Sequence, residues 1–287
     1  MKHYIINSRL LGDELMATPA IRQYKKSLPP GDSLAVYTSK REFAYIHDGN
    51  DIPVIHSDII DDELGMLPKN AIVRHMDTEK AFWDGVKTRR HMSECFAEQL
   101  GLTLDDRHYN VRLSATEIFY MTGVLTKLRM ETGKKVLICG CHSTSDSSMA
   151  NSKTKPNKML SGKVWSEVML SLTSQYYFVF LSAKDEPKIP LSIPQEFYRY
   201  QWLVGRPIRE VAALCKVADA VVSIDCGVGH LAAAVDANIV SINAAVPAFL
   251  VSVNSTNGKY HLVDHNPDSI TSIGADEIID GILKITQ

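Results

Sequence analysis

Short apolar runs alternate with amphipathic segments along the first half of the chain. The runs Tyr4–Asn7, Ser33–Tyr37, Pro53–His56 and Ala71–Arg74 read as strands, and Leu15–Ser27, Lys40–His47 and Arg90–Leu100 carry helical spacing. Leu28-Pro29-Pro30-Gly31-Asp32 breaks helix from strand. This alternation predicts a parallel sheet with helices on both faces. Thr116–Glu131 reads as one helix, and Thr132–Lys135 as a hinge. A second series then starts with the strand Val136–Cys139 and a long polar loop, His142–Leu160. Loops of that length in compact α/β domains are uncommon and tend to be functional. A helix (Val164–Leu172), a strand (Tyr177–Leu181) and a helix (Ile208–Val217) follow. The apolar run Ala220–Val222 leads into Asp225, and Gly229–Val235 reads as a small-residue helix. Strands at Ile239–Asn243 and Tyr260–Val263 and a helix at Ala275–Ile285 complete the series. The expected organisation is two α/β domains, 1–132 and 133–287, leaving open whether the last helix packs back on the first domain.

Bulk composition narrows the function classes. At 287 residues, 45% apolar and 22% charged, the chain has the make-up of a globular protein of about two domains. A formal charge of −2 gives no support for general attachment to nucleic acid. Lysines 134, 135, 153, 155, 158 and 163 nevertheless cluster against a single acid, Asp146, which fits a small anionic ligand better than a long polyanion. The apolar run at the N-terminus is too short for a signal peptide, and no stretch approaches the ~20 apolar residues of a membrane span. Cysteines 95, 139, 141, 215 and 226 form an odd set, so reduced thiols and a cytoplasmic location are expected. Cys139-Gly140-Cys141-His142 lacks a second ligand pair, and its first residue ends an apolar strand, so no metal is expected there.

Candidate chemistry gathers where strands give way to helices. Ser223-Ile224-Asp225-Cys226-Gly227-Val228-Gly229-His230 places an acid, two glycines and a histidine at the carboxyl edge of a parallel sheet. Ligands bind at that edge, and the free N–H groups of a helix start attract phosphate. Two glycines without a third make a poor dinucleotide fingerprint. His230 is either a satisfied core histidine or a donor to a diphosphate. At the front of the chain, Arg9-Leu10-Leu11-Gly12-Asp13 precedes another helix. Asp13 is either a first-turn carboxylate or a general base. Lys163, two residues before Trp165, is either a solvated charge or a cation for a leaving phosphate.

These positions together resemble glycosyltransferase family 9, the lipopolysaccharide heptosyltransferase-like enzymes. Arg9 through Gly12-Asp13 and Thr18-Pro19 to Arg22 resembles the family's opening segment, and Lys163-Val164-Trp165 its Lys-x-Trp helix start. Ile208 through Glu210 to Leu214, followed by Ala218 to His230, resembles its donor-site block. The resemblance implies a GT-B fold, with two Rossmann-like domains whose parallel sheets face a central cleft. It also implies a nucleotide-sugar donor, inversion at the anomeric carbon and no metal or other cofactor. By position, Asp13 corresponds to the base, and Lys163, Asp225, Cys226, Gly227, Gly229 and His230 to the donor site. Arg9, Gly12, Thr18 and Glu210 are accessory candidates. Two departures stand out: Cys226 replaces the usual Thr or Ser, and Ala244-Ala245-Val246-Pro247 replaces Phe-Gly-Pro-Thr.

The expected activity is therefore metal-independent, inverting transfer from a nucleotide sugar to an acceptor hydroxyl, by default on a lipopolysaccharide-type glycan. Peripheral membrane contact stays open. Lysines 153, 155 and 158 motivate an alternative acceptor, a hydroxylated base in nucleic acid. The altered 244–247 segment motivates another alternative, a sugar-nucleotide-binding protein without catalysis.

Overall fold

The computed structural model describes residues 1–7, 10–38, 40–47, 50–56, 67–141, 159–184, 189, 191, 193, 200–243, 246–253, 255–256, 258–265 and 272–287. The chain forms two compact units, Met1–Arg112 and Leu113–Gln287.

The first unit holds strands β1 (Lys2–Ile6), β2 (Ser33–Thr38), β3 (Val54–His56) and β4 (Ile72–His75), all parallel, in the order β3-β2-β1-β4. Helix α1 (Leu11–Ser27) follows β1, and α2 (Ala44–His47) follows β2. Helices α3 (Thr78–Thr88) and α4 (Met92–Gln99) come after β4, with α4 packed along α1. Residues 14–21 of α1 are buried without a break, although Pro19 lies among them. Proline lacks the N–H that would reach the Leu15 carbonyl one turn back. The Thr18 hydroxyl donates to that carbonyl instead, at 2.7 Å. The Thr-Pro pair thus lets a helix carry a proline with its hydrogen bond replaced.

The second unit begins with α5 (Ala115–Thr132) and continues with β5 (Lys135–Gly140), α6 (Gly162–Leu172), β6 (Tyr176–Ser182) and β7 (Tyr200–Val204). Then come α7 (Ile208–Val217), β8 (Ala220–Ile224), α8 (Gly227–Ala234), β9 (Ile239–Asn243), α9 (Ala248–Val251), β10 (Tyr260–Asp264) and α10 (Ala275–Thr286). Its sheet is parallel throughout, ordered β10-β9-β8-β5-β6-β7. Counted from β5 this is the Rossmann order 3-2-1-4-5-6, and the winding reverses between β5 and β8. Residues 136–140 and 220–224 are buried throughout, as expected for a sheet covered on both faces.

The unit boundary falls at 112/113, whereas the sequence pattern places it at 132/133. The difference is α5. A capping box starts this helix: Ser114 Oγ accepts from Glu117 N–H at 3.2 Å, and a Glu117 oxygen accepts from Ser114 N–H at 2.8 Å. Near its end, Arg129 donates to Asp219 at 2.9 and 3.1 Å. The same Asp219 oxygen accepts from Val136 N–H at 2.8 Å. The helix is therefore tied to the strands that follow it. Helix α10 also packs on its own unit's sheet, where the Thr286 hydroxyl lies 2.6 Å from Tyr176 Oη. Ile278, Ile282 and Ile285 supply its buried stripe.

Candidate functional site

In an open α/β sheet, ligands bind outside the carboxyl ends of the strands where the winding reverses. In the second unit this point lies between β5 and β8, and the run Asp225–His230 leaves the sheet there. Asp225 N–H donates to the Ile242 carbonyl at 3.1 Å, which holds the turn against β9. Cys226 is extended at the N-cap position, and α8 starts at Gly227. The helix start comes unusually close to the sheet. Gly140 lies opposite Ser223, and a Cβ on Gly140 would fall 2.7 Å from Ser223 Oγ and 2.8 Å from Val228 Cβ. A Cβ on Gly229 would fall 3.1 Å from the same hydroxyl. Glycine on both sides of Ser223 is what lets the first turn of α8 settle against the strands.

The chemistry of the turn is polar and largely enclosed. His230 is 2% exposed, and its Nε2 lies 3.7 Å from Asp225 Oδ1. The Cys226 thiol points into its own turn, 3.3 Å from Ser223 Oγ, and burial pushes it up from its ordinary value. It is not placed as a nucleophile, and any contribution to a ligand comes from its backbone. At the end of the next strand, Ser241 Oγ donates to Asn243 Oδ1 at 2.8 Å. The buried Asn243 amide nitrogen has no partner among the described residues. The structure thus gathers Asp225, Cys226, Gly227, Gly229 and His230 and adds Gly140, Ser223 and Asn243.

Lys163, Glu210 and Thr18 each make local contacts in or beside their own helices. Lys163 is in the first turn of α6, 83% exposed and 3.9 Å from Glu167. Glu210 pairs with Arg206 at 3.5 Å along α7. Both make the ordinary surface contact of residues four apart. Thr18 is 1% exposed with its hydroxyl committed to Leu15. Arg9, lysines 153, 155 and 158 and residues 244–245 lie outside the described residues.

Asp13 and Gly12 occupy the first turn of α1, at the carboxyl edge of the first sheet. Asp13 is half-buried, and its Oδ2 accepts from Leu10 N–H at 3.4 Å. The first-turn role is thus real, over a long bond. The next residue is less expected. Glu14 is fully buried, with Oε1 2.6 Å from Nε2 of the equally buried His47 on α2. Burial raises the Glu14 carboxyl from its ordinary value against the opposing effect of His47. At the end of β1, the Asn7 amide is buried with neither polar atom partnered among the described residues. Sequence reading passed over Glu14, Asn7 and His47. The available signal was a carboxylate adjoining Asp13 at the head of an apolar run.

Comparison with known proteins decides the family. The sequence profile described as glycosyltransferase family 9 (heptosyltransferase) matches residues 99–252, more than half of the chain. The chain belongs to this family. Its match spans the second unit's switch point, including Lys163 and Asp225–His230. No curated protein matches the chain. Among solved structures it is similar to an ADP-heptose lipopolysaccharide heptosyltransferase II of E. coli (12% identity, TM-score 0.72, covering 100% of this chain and 98% of that one). It is also similar to a family 9 glycosyltransferase of Veillonella parvula (10% identity, TM-score 0.69, covering 99% and 97%). A third similar structure is the E. coli heptosyltransferase WaaC with ADP (16% identity, TM-score 0.60, covering 99% of each chain). This family 9 chain accordingly has the GT-B fold of two Rossmann-like units and is a glycosyltransferase. Among the described residues, no three His, Cys, Asp or Glu side chains come together to hold a metal, and no helix is long and apolar enough to cross a membrane.

Proposed function

We propose that this family 9 enzyme transfers a sugar, with inversion and without a metal, from a nucleoside-diphosphate sugar to an acceptor hydroxyl. The observation that carries the reading is the close-packed start of α8 at the switch point, within the segment that matches the family. An ADP-heptose-type donor is the first choice, supported by similarity to an ADP-heptose heptosyltransferase and to a heptosyltransferase described with ADP and with ADP-2-deoxy-2-fluoro heptose. In this reading, the N–H groups at Gly227–Gly229 and the His230 imidazole receive the diphosphate, and Asp225 orients His230. Lys163 adds positive charge. As Asp13 takes the proton of the acceptor hydroxyl, the acceptor oxygen forms a bond to the anomeric carbon. The bond from that carbon to the diphosphate oxygen breaks, and the electron pair leaves with the diphosphate. Helix N–H groups and cations aimed at developing charge make a metal dispensable. The acceptor class is a glycan hydroxyl of the lipopolysaccharide type, reached from the cytoplasm. Five free, buried thiols fit a reducing compartment.

The test is Asp13→Asn. Calorimetry with ADP-heptose should give donor affinity close to wild type. Transfer, followed as ADP release with a lipopolysaccharide-core acceptor, should fall by about 10²–10⁴-fold. Near-native turnover in this variant contradicts the base assignment. Tight donor binding with no ADP release from wild type, across varied hydroxyl acceptors, contradicts the enzyme reading.

A further inference from the structure

The face of the second sheet that carries α8 is polar near its carboxyl edge. Ser223 and Ser241 are neighbours across β8 and β9, and Gly229 of α8 lies against Ser223. Strand side chains alternate, so Asn243 lies on the same face as Ser241, two residues nearer the edge. The Ser241 hydroxyl donates to Asn243 Oδ1 at 2.8 Å and so fixes the amide, with its oxygen committed and its nitrogen left to donate. That nitrogen is buried and has no acceptor among the described residues. A buried donor without an acceptor carries a desolvation cost, which an acceptor brought by a ligand removes. Opposite Asn243 on β10 stands Asp264, which is exposed. Two backbone bonds hold these strand ends in line with the donor-side turn. Asp225 N–H donates to the Ile242 carbonyl at 3.1 Å, and His265 N–H to the Asn243 carbonyl at 3.0 Å.

An amide nitrogen only gives hydrogen bonds, and a carboxylate only takes them. Side by side they match a group that does both, a hydroxyl. Like charge makes Asp264 a poor neighbour for phosphate. Adjacent strands are ~4.8 Å apart, so the end of β9 lies one spacing from β8 and the end of β10 two, ~10 Å. That span suits a single sugar unit reaching sideways from a diphosphate at the start of α8. We propose that Asn243 and Asp264 form a subsite for the donor's sugar, the amide donating to a hydroxyl oxygen and the carboxylate accepting a hydroxyl proton. This rests on the reading that the diphosphate lies at the start of α8. Recognition of the sugar then belongs to β9 and β10, and recognition of the phosphates to the turn.

The experiment is calorimetry of the full chain with ADP and with ADP-heptose, on wild type, Asn243→Leu, Asp264→Ala and His230→Ala. Asn243→Leu keeps the volume and removes the amide, and Asp264→Ala removes the carboxylate from an exposed position. Binding of ADP-heptose should weaken about threefold to tenfold in the first variant and about tenfold or more in the second, where a charged partner is lost. Binding of ADP should stay within about twofold of wild type in both. If Asn243→Leu does not fold, Asp264→Ala decides alone, since it leaves no buried gap. A merely structural Asn243 predicts a lower melting temperature without selective loss of ADP-heptose. Equal losses for the two ligands, or no loss for ADP-heptose, overturn the inference. His230→Ala separates the two failures. If it leaves ADP affinity unchanged, the diphosphate reading fails and takes this inference with it. If it weakens ADP while the Asn243 and Asp264 variants show no selectivity, the sugar subsite fails alone.

Discussion

At the residue scale, what matters at the donor-side turn is the absence of a Cβ. Gly140 and Gly229 flank Ser223 so closely that one methyl group decides how near the start of α8 sits to the sheet. Gly140→Ala should therefore cost about 1–3 kcal/mol, the range for overpacking, because both atoms it meets belong to packed elements. Urea denaturation measures the loss. Calorimetry with ADP should show weaker binding in the same variant, and an unchanged midpoint with unchanged affinity would contradict this role. Gly229 was legible in the sequence because it stands in a strand–glycine–helix run. Gly140 was not, because in the sequence it only follows the strand Val136–Cys139, and the Ser223 and Val228 side chains that crowd it lie far along the chain. Glu14 was hidden differently: an acid beside Asp13 looks like ordinary first-turn charge, and only burial shows it facing inward.

At the element scale, clear periodicity could be read closely. The sequence pattern places Ile208–Val217 and Ile239–Asn243 at the bounds the structure shows. Elements with few buried side chains were missed. Helix α3 buries only Ala81 and Gly85, while its Trp83 and Val86 are exposed. Strand β7 lies at the sheet edge and is nowhere fully buried. Helices α1 and α8 begin earlier than expected because Gly12 and Gly227 read as turn residues and are instead helical. The contact between α5 and α7 has a measurable pH signature. Hydrogen bonds from Arg209 first, and then from Ser114, hold the Glu117 carboxyl at about 2, below its ordinary value of 4.5. A depressed folded value means this stabilisation is fully present above pH 4.5 and is lost as pH falls towards about 2. Glu117→Gln should lower the urea midpoint at neutral pH and flatten its decline over that acid range. Parallel pH profiles for wild type and variant would contradict the assignment.

At the scale of the whole molecule, two parallel sheets of one winding scheme place Asp13 at one carboxyl edge and Asp225–His230 at another. The fold class was legible because the strand–helix alternation runs through the chain twice. The unit boundary was not, because the tie from Arg129 to Asp219 joins residues 90 positions apart and leaves no local mark. The central claim is that the second unit's switch point holds the diphosphate of a sugar donor. Amide hydrogen exchange of the full chain, with and without saturating ADP-heptose, tests it most directly. Peptides covering residues 225–231 and 140–141 should gain protection together on binding, and that gain should be lost in His230→Ala. Binding that protects other segments while 225–231 exchange as in the free protein would contradict the account.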